Sequence, residues 1–129
     1  MAAGKYNILI EQGATYQVEL QYRDSNNTPV DLTGYSGKMQ IRPSAGSPIS
    51  YLCLSSSLNA DGTGLNFSGS NGTTSPMSGS IGIYISAVTS SALSFSQAVY
   101  DLEIQSGSFV TRLIQGNVQL SQEVTTAVC

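Results

Sequence analysis

The chain is 129 residues long, 40% hydrophobic and only 10% charged, with a net charge of −3 and no histidine. That length fits one domain with a sizeable core, whereas an average soluble protein carries roughly 25% charged residues. The missing histidine removes the commonest general base, the commonest metal ligand and every histidine-based triad.

The five cations, Lys5, Arg23, Lys38, Arg42 and Arg112, are scattered singly. A phosphate-tracking surface, and hence a nucleic-acid partner, is not expected. The first residues contain no apolar leader and no stretch approaches about 20 apolar residues, so neither a signal peptide nor a membrane span is expected. The protein is accordingly expected to be made and kept in a cytoplasm until it assembles. Without an oxidising compartment, Cys53 and Cys129 read as free thiols.

Period-2 alternation, the mark of half-buried strands, runs along nearly the whole chain. A short first strand is expected over 6–10, broken at Gly13. Over 15–23, Tyr16, Val18, Leu20 and Tyr22 face one way while Gln17, Glu19, Gln21 and Arg23 face the other. The run 24–29 is a turn cluster of Asx residues and proline, and Asp31 reads as a turn residue before Gly34. A strand follows over 36–42, Met39 and Ile41 inward, and Pro43 ends it.

Weaker strands are expected over 50–54 and 64–68. A low-complexity loop over 69–79 leads to a strong strand over 80–86, with Ile81, Ile83 and Ile85 on the core face. One short helix is expected over 87–93, capped by Ser86. The last third alternates most clearly: Tyr100, Leu102 and Ile104 against Asp101, Glu103 and Gln105. Gly107-Ser108 reads as a two-residue hairpin loop, placing Glu103 opposite Arg112 and Leu102 opposite Leu113. Beyond Leu113 the phase slips, and a bulge near 114–116 would absorb the extra residue. Seven or eight strands with turn clusters between them imply a single all-β domain, an antiparallel β-sandwich of immunoglobulin-like type. The termini, about 1–5 and 123–129, are expected to order only on assembly.

No constellation reads as catalytic, cofactor-binding or metal-binding. The serines lack a Gly-x-Ser-x-Gly setting with a base beside it. Asp101 and Glu103 share a solvent face with nothing apolar placed to raise either pKa, so they make a poor glycosidase pair. The run 59–62 lacks the acid that would close a calcium loop and reads as a turn. The sequons at Asn26, Asn66 and Asn71 follow from Ser/Thr-rich composition, and Gly62, Gly64, Gly69 and Gly72 do not sit between a strand and a helix as a phosphate cradle would. Tyr84 points away from Ile83 and Ile85, and reads as a contact anchor as readily as an ordinary surface residue. With the neutral loop residues Ser70, Asn71, Gly72, Thr73 and Thr74 it makes up the candidate protein-contact site.

Three segments in order, 8–16 (Ile8-Leu9-Ile10-Glu11-Gln12-Gly13-Ala14-Thr15-Tyr16), 30–42 (Val30-Asp31-Leu32-Thr33-Gly34-Tyr35-Ser36-Gly37-Lys38-Met39-Gln40-Ile41-Arg42) and 98–125, which opens Ala98-Val99-Tyr100-Asp101-Leu102-Glu103-Ile104, resemble a family of small tailed-bacteriophage structural proteins. That family is related to the N-terminal domains of baseplate upper proteins. The resemblance implies an immunoglobulin-like virion component without catalytic residues, cofactors or metals, an adaptor of the baseplate or tail-fibre region. Its partners would be other virion proteins, in a homo-oligomeric or multi-copy arrangement. A capsid or tail decoration protein is the alternative, and a carbohydrate-binding adhesion module, with Tyr84 or Tyr51 stacking on sugar rings, a further one. The helical turn before Ala98-Val99-Tyr100 is also similar to the corner preceding a late strand in immunoglobulin-like domains, an analogy of fold only.

Overall fold

A computed structural model describes residues 4–58, 60–67 and 79–122. Nine strands and one helix are described: β1 (Gly4–Lys5), β2 (Ile8–Glu11), β3 (Tyr16–Gln21), β4 (Ser36–Arg42), β5 (Leu52–Ser55), β6 (Gly64–Asn66), β7 (Ser80–Ile85), α1 (Ala87–Ser91), β8 (Gln97–Ser106) and β9 (Phe109–Ser121). The larger sheet runs β9-β8-β4-β5, with β1 and β2 both along the outer edge of β9. The smaller sheet runs β3-β7-β6.

Alternation decides which side chains lie between the sheets. The larger sheet contributes Ile8, Ile10, Met39, Ile41, Leu54, Tyr100, Leu102, Ile104, Val118 and Leu120, and the smaller one Leu65, Ile81, Ile83 and Ile85. All are nearly inaccessible to water, and each large aliphatic side chain so buried stabilises the fold by roughly 1.5–3 kcal/mol. Val18 and Leu20 on β3 are only half-buried, packing at the rim of this core.

The first strand departs from expectation. It pairs parallel to β9, and in two pieces: Gly4 opposite Ile114 and Ile8 opposite Val118. Between the pieces Tyr6 N–H donates to the Gln115 carbonyl at 3.0 Å, and Asn7 Oδ1 accepts from Asn117 N–H at 3.1 Å. Gly116 faces this break, where a β-carbon would collide with the Tyr6 carbonyl.

The β8–β9 hairpin closes through Gly107 and Ser108, as its sequence implies, with Ser106 opposite Phe109. Gly107 takes φ +60°, and Ser108 does not have positive φ, the pattern of a type II′ turn. Glu103 does fall opposite Arg112. Leu102, however, pairs with Ile114, so Leu113 is the extra residue and the bulge lies just before the expected 114–116. The bulge also redirects Arg112. Its Nε lies 3.4 Å from Asp101, diagonally across the ladder, rather than bridging to Glu103. Both side chains are well exposed, so the pair contributes about 0–1 kcal/mol.

Candidate protein-contact surfaces

Two ends and one face of the sandwich carry its surface chemistry. At the helix end, Ser86 caps α1 as expected, its Oγ accepting from the Thr89 amide at 3.1 Å. The Asp61 carboxylate accepts from Ser86 Oγ at 2.6 Å, Thr89 Oγ1 at 2.8 Å and the Thr63 amide at 3.0 Å. These bonds, that of Ser86 foremost, hold Asp61 far below the usual carboxylate range. Read from the sequence as a turn residue, Asp61 also ties the β5–β6 connection to the helix. The signal was absent because its partners lie some two dozen residues further along the chain. Fully buried Ser90 fastens the other side, its Oγ donating to the Ala14 carbonyl at 2.8 Å and accepting from Gly13 N–H at 3.1 Å.

Three tyrosines cluster beside the break in the first strand. The Tyr100 hydroxyl donates to the Tyr6 carbonyl. Burial, then the neighbouring Tyr16 and Tyr6 hydroxyls, push the Tyr100 phenol well above its ordinary value. Tyr16 rises to about 12, from burial first and then from Tyr6. These phenols serve packing.

The hairpin end is the opposite in character. Phe109 is 63% exposed and Val110 53%, at consecutive positions of β9 beside the turn and so on opposite faces of the hairpin. The β3–β4 connection lies at the same end, because Ser36 at the start of β4 pairs with Gln105. It bears Asp24, bonded to the amides of Asn26 and Thr28, and Asp31, whose pKa the hydroxyl and amide of Thr33 lower.

Of the residues singled out from the sequence, Tyr84 is half-buried on the outer side of β7, its ring edge against Gly62. Leu58, Asp61 and Asn66 join it around a shallow depression of about 260 Å³. Ser70, Asn71, Gly72, Thr73 and Thr74 lie outside the described residues, as does Cys129. Cys53 is an exposed free thiol on β5. The other tyrosine considered for sugar stacking, Tyr51, stacks on Phe95 with ring centroids 4.7 Å apart. Sequence reasoning passed over Phe109 and Val110.

Across the outer face of the larger sheet run two adjoining concavities of about 600 and 610 Å³, sharing Asn7, Pro43, Val99 and Asn117. The second is lined by Lys5, Lys38, Arg42 and Arg112 together with Asp101 and Glu103. Both carboxylates are partly exposed on this face. Among the described residues no group of three or more Cys, Asp or Glu side chains is placed to hold a metal, and no helix is long and apolar enough to cross a membrane.

No family model and no curated protein matches the chain. Among solved structures it is similar to a chicken T-cell receptor (TCR) chain, at 11% identity and a TM-score of 0.51. The match covers 94% of this chain and 55% of the receptor chain, so the present chain spans about half the length of the one it matches. Together with the two-sheet topology this establishes an immunoglobulin-like all-β sandwich. The likeness is one of fold alone.

Proposed function

We propose that the protein is a non-enzymatic structural component of a tailed-phage virion, an adaptor of the baseplate or tail-fibre region that acts through protein–protein contacts. The observation that carries this reading is the hairpin tip. Phe109 and Val110, both large, apolar and more than half exposed, follow the turn of a two-stranded hairpin that extends past the core, on a chain in which only 10% of residues are charged. The ordered sequence resemblance to small phage structural proteins supports the setting. In that setting the protein is made in the bacterial cytoplasm and ends in the particle, with other virion proteins as neighbours.

The chemistry already described supports the non-enzymatic reading. The chain has no histidine, Asp101 lies beside Arg112 on a partly exposed sheet face, and the hydroxyls of Ser86, Thr89 and Ser90 are bonded in capping and cross-bracing. A sugar-stacking platform finds less support, because Tyr84 leans on Gly62 and Tyr51 covers Phe95.

Mass spectrometry and cryo-EM of purified particles provide the test. A few copies per ring at the tail tip are expected. Copy number near that of the major capsid protein would move the protein to a decoration role, and complete absence from the particle would refute the proposal.

A further inference from the structure

We infer that the groove on the larger sheet is the seat for the hairpin end of a second copy of this chain, a head-to-groove contact that repeats from copy to copy. This names a partner within the assembly reading above and rests on that reading only for its biological setting. The first argument is charge. Four of the five cations line the groove against two carboxylates, a local +2, whereas the rest of the chain holds Arg23 and six carboxylates, or −5. In so sparsely charged a molecule this segregation is large.

The groove cations are available to an incoming anion. Arg42 donates from Nε and Nη2 to Gln40 Oε1 at 3.0 and 2.6 Å, and from Nη1 to the Ser47 carbonyl at 2.7 Å. Its acceptors are all neutral, so the guanidinium is held still and its charge is left uncompensated. Lys38 stands across the ladder from Glu103, and among the described residues it has no ion pair. Of the groove cations, Arg112 alone has a carboxylate of the described residues within 4 Å, at 3.4 Å.

The second argument is that the hairpin end has the complementary features. Asp24 and Asp31 are bonded to neutral backbone amides, and Arg23 spends its guanidinium on Asn27 and Gln21 rather than on Asp24. Phe109 and Val110 need an apolar seat, and the groove supplies one where Leu9, 53% exposed, adjoins Pro43 and Val99. Since the two surfaces differ, the contact is heterologous and generates rings or open arrays rather than a closed two-fold pair.

Sedimentation of the full chain tests this. Self-association beyond a dimer is expected at an ionic strength of about 0.01 M, where the Debye length is about 30 Å, and should be lost near 1 M, where it is about 3 Å. A groove variant, Lys38→Glu with Arg42→Glu, and a head variant, Phe109→Ser with Asp31→Lys, should each raise the dissociation constant about tenfold or more. Lys38→Glu alone serves if the double groove variant misfolds. Mixing the two variants should restore a single 1:1 complex that grows no further, because each retains the surface the other lacks. A chain that stays monomeric in low salt, variants that still self-associate, or a mixture that yields no heterodimer would each overturn the inference. Any of these results leaves the virion assignment standing, since that depends on presence in the particle.

Discussion

The helix end and the hairpin end of this sandwich solve the same problem, how to finish two sheets, in opposite ways. At the helix end a set of polar side chains is bonded across elements: Asp61 to two hydroxyls and an amide, Ser90 to the backbone of Gly13 and Ala14, Gln12 Nε2 to the Leu93 carbonyl at 2.7 Å. At the hairpin end, Phe109 and Val110 stand in water. A buried polar group left unpaired costs about 1–3 kcal/mol, so the first arrangement secures the fold. The second stabilises nothing within the chain, and exposed apolar side chains gain free energy when something covers them. The helix end is thus bonded within the domain, with Val88 standing 77% exposed beside those bonds, and the hairpin end is the one we propose meets a neighbour.

The largest effect that would test this contrast is at Ser90. Replacing it by alanine removes the side-chain partner of Gly13 N–H and of the Ala14 carbonyl at a part-buried site, and two hydrogen bonds at about 0.5–1.5 kcal/mol each put the loss of stability at about 1–3 kcal/mol. Urea unfolding of Ser90→Ala checks it, and a loss below about 0.5 kcal/mol, the scale of ordinary surface changes, would mean the helix end is not the brace described. The double change of Phe109 and Val110 to serine should, by contrast, leave stability within about 0.5 kcal/mol while weakening assembly. If that variant unfolds as readily as Ser90→Ala, the hairpin tip is structural after all and the contrast fails.

Alkaline pH offers a smaller test beside the break in the first strand. Tyr16 is raised from 10.0 to about 12, and Tyr100 is raised as well. The folded state therefore holds protons that the unfolded chain releases. Stability from this source is fully present below pH 10 and declines as pH climbs through the folded values. Melting temperatures should fall from about pH 10 upward, and Tyr100→Phe should shrink that fall while costing about 0.5–1.5 kcal/mol at neutral pH for the lost bond to Tyr6. An identical alkaline decline in the variant would remove Tyr100 from the account.

These regions were unequally legible in the sequence, for identifiable reasons. The inward faces of β4, β7 and β8 followed from alternation, because burial on one side forces period 2. The exact bulge did not. Leu113 and Ile114 are both apolar and both half-buried, so composition cannot say which is looped out. The parallel pairing of β1 and β2 with β9 joins residues more than a hundred positions apart, and strand periodicity carries no information about partners. Phe109 escaped notice because alternation assumes that one face is covered. The hairpin extends past the core beyond Ile104, the last buried residue of β8, and both of its faces then meet water.

The smallest expected effect returns to Asp61. Hydrogen bonds from Ser86, Thr63 and Thr89 lower its pKa from 3.8, which means that the folded state favours the ionised form more than the unfolded chain does. Its stabilising contribution is therefore present above the unfolded value and lost as pH falls through the lower folded one. The carboxylate is solvent-exposed, so screening keeps the contribution small. Thermal melts of Asp61→Asn should lie slightly below those of the parent at pH 7, and the two should converge as the parent's carboxylate takes up its proton in strong acid. A gap that stays constant down the whole acid range would show that the asparagine disturbs turn geometry rather than charge. The helix end would then be held by Ser86 and Ser90, with Asp61 only filling the space between them.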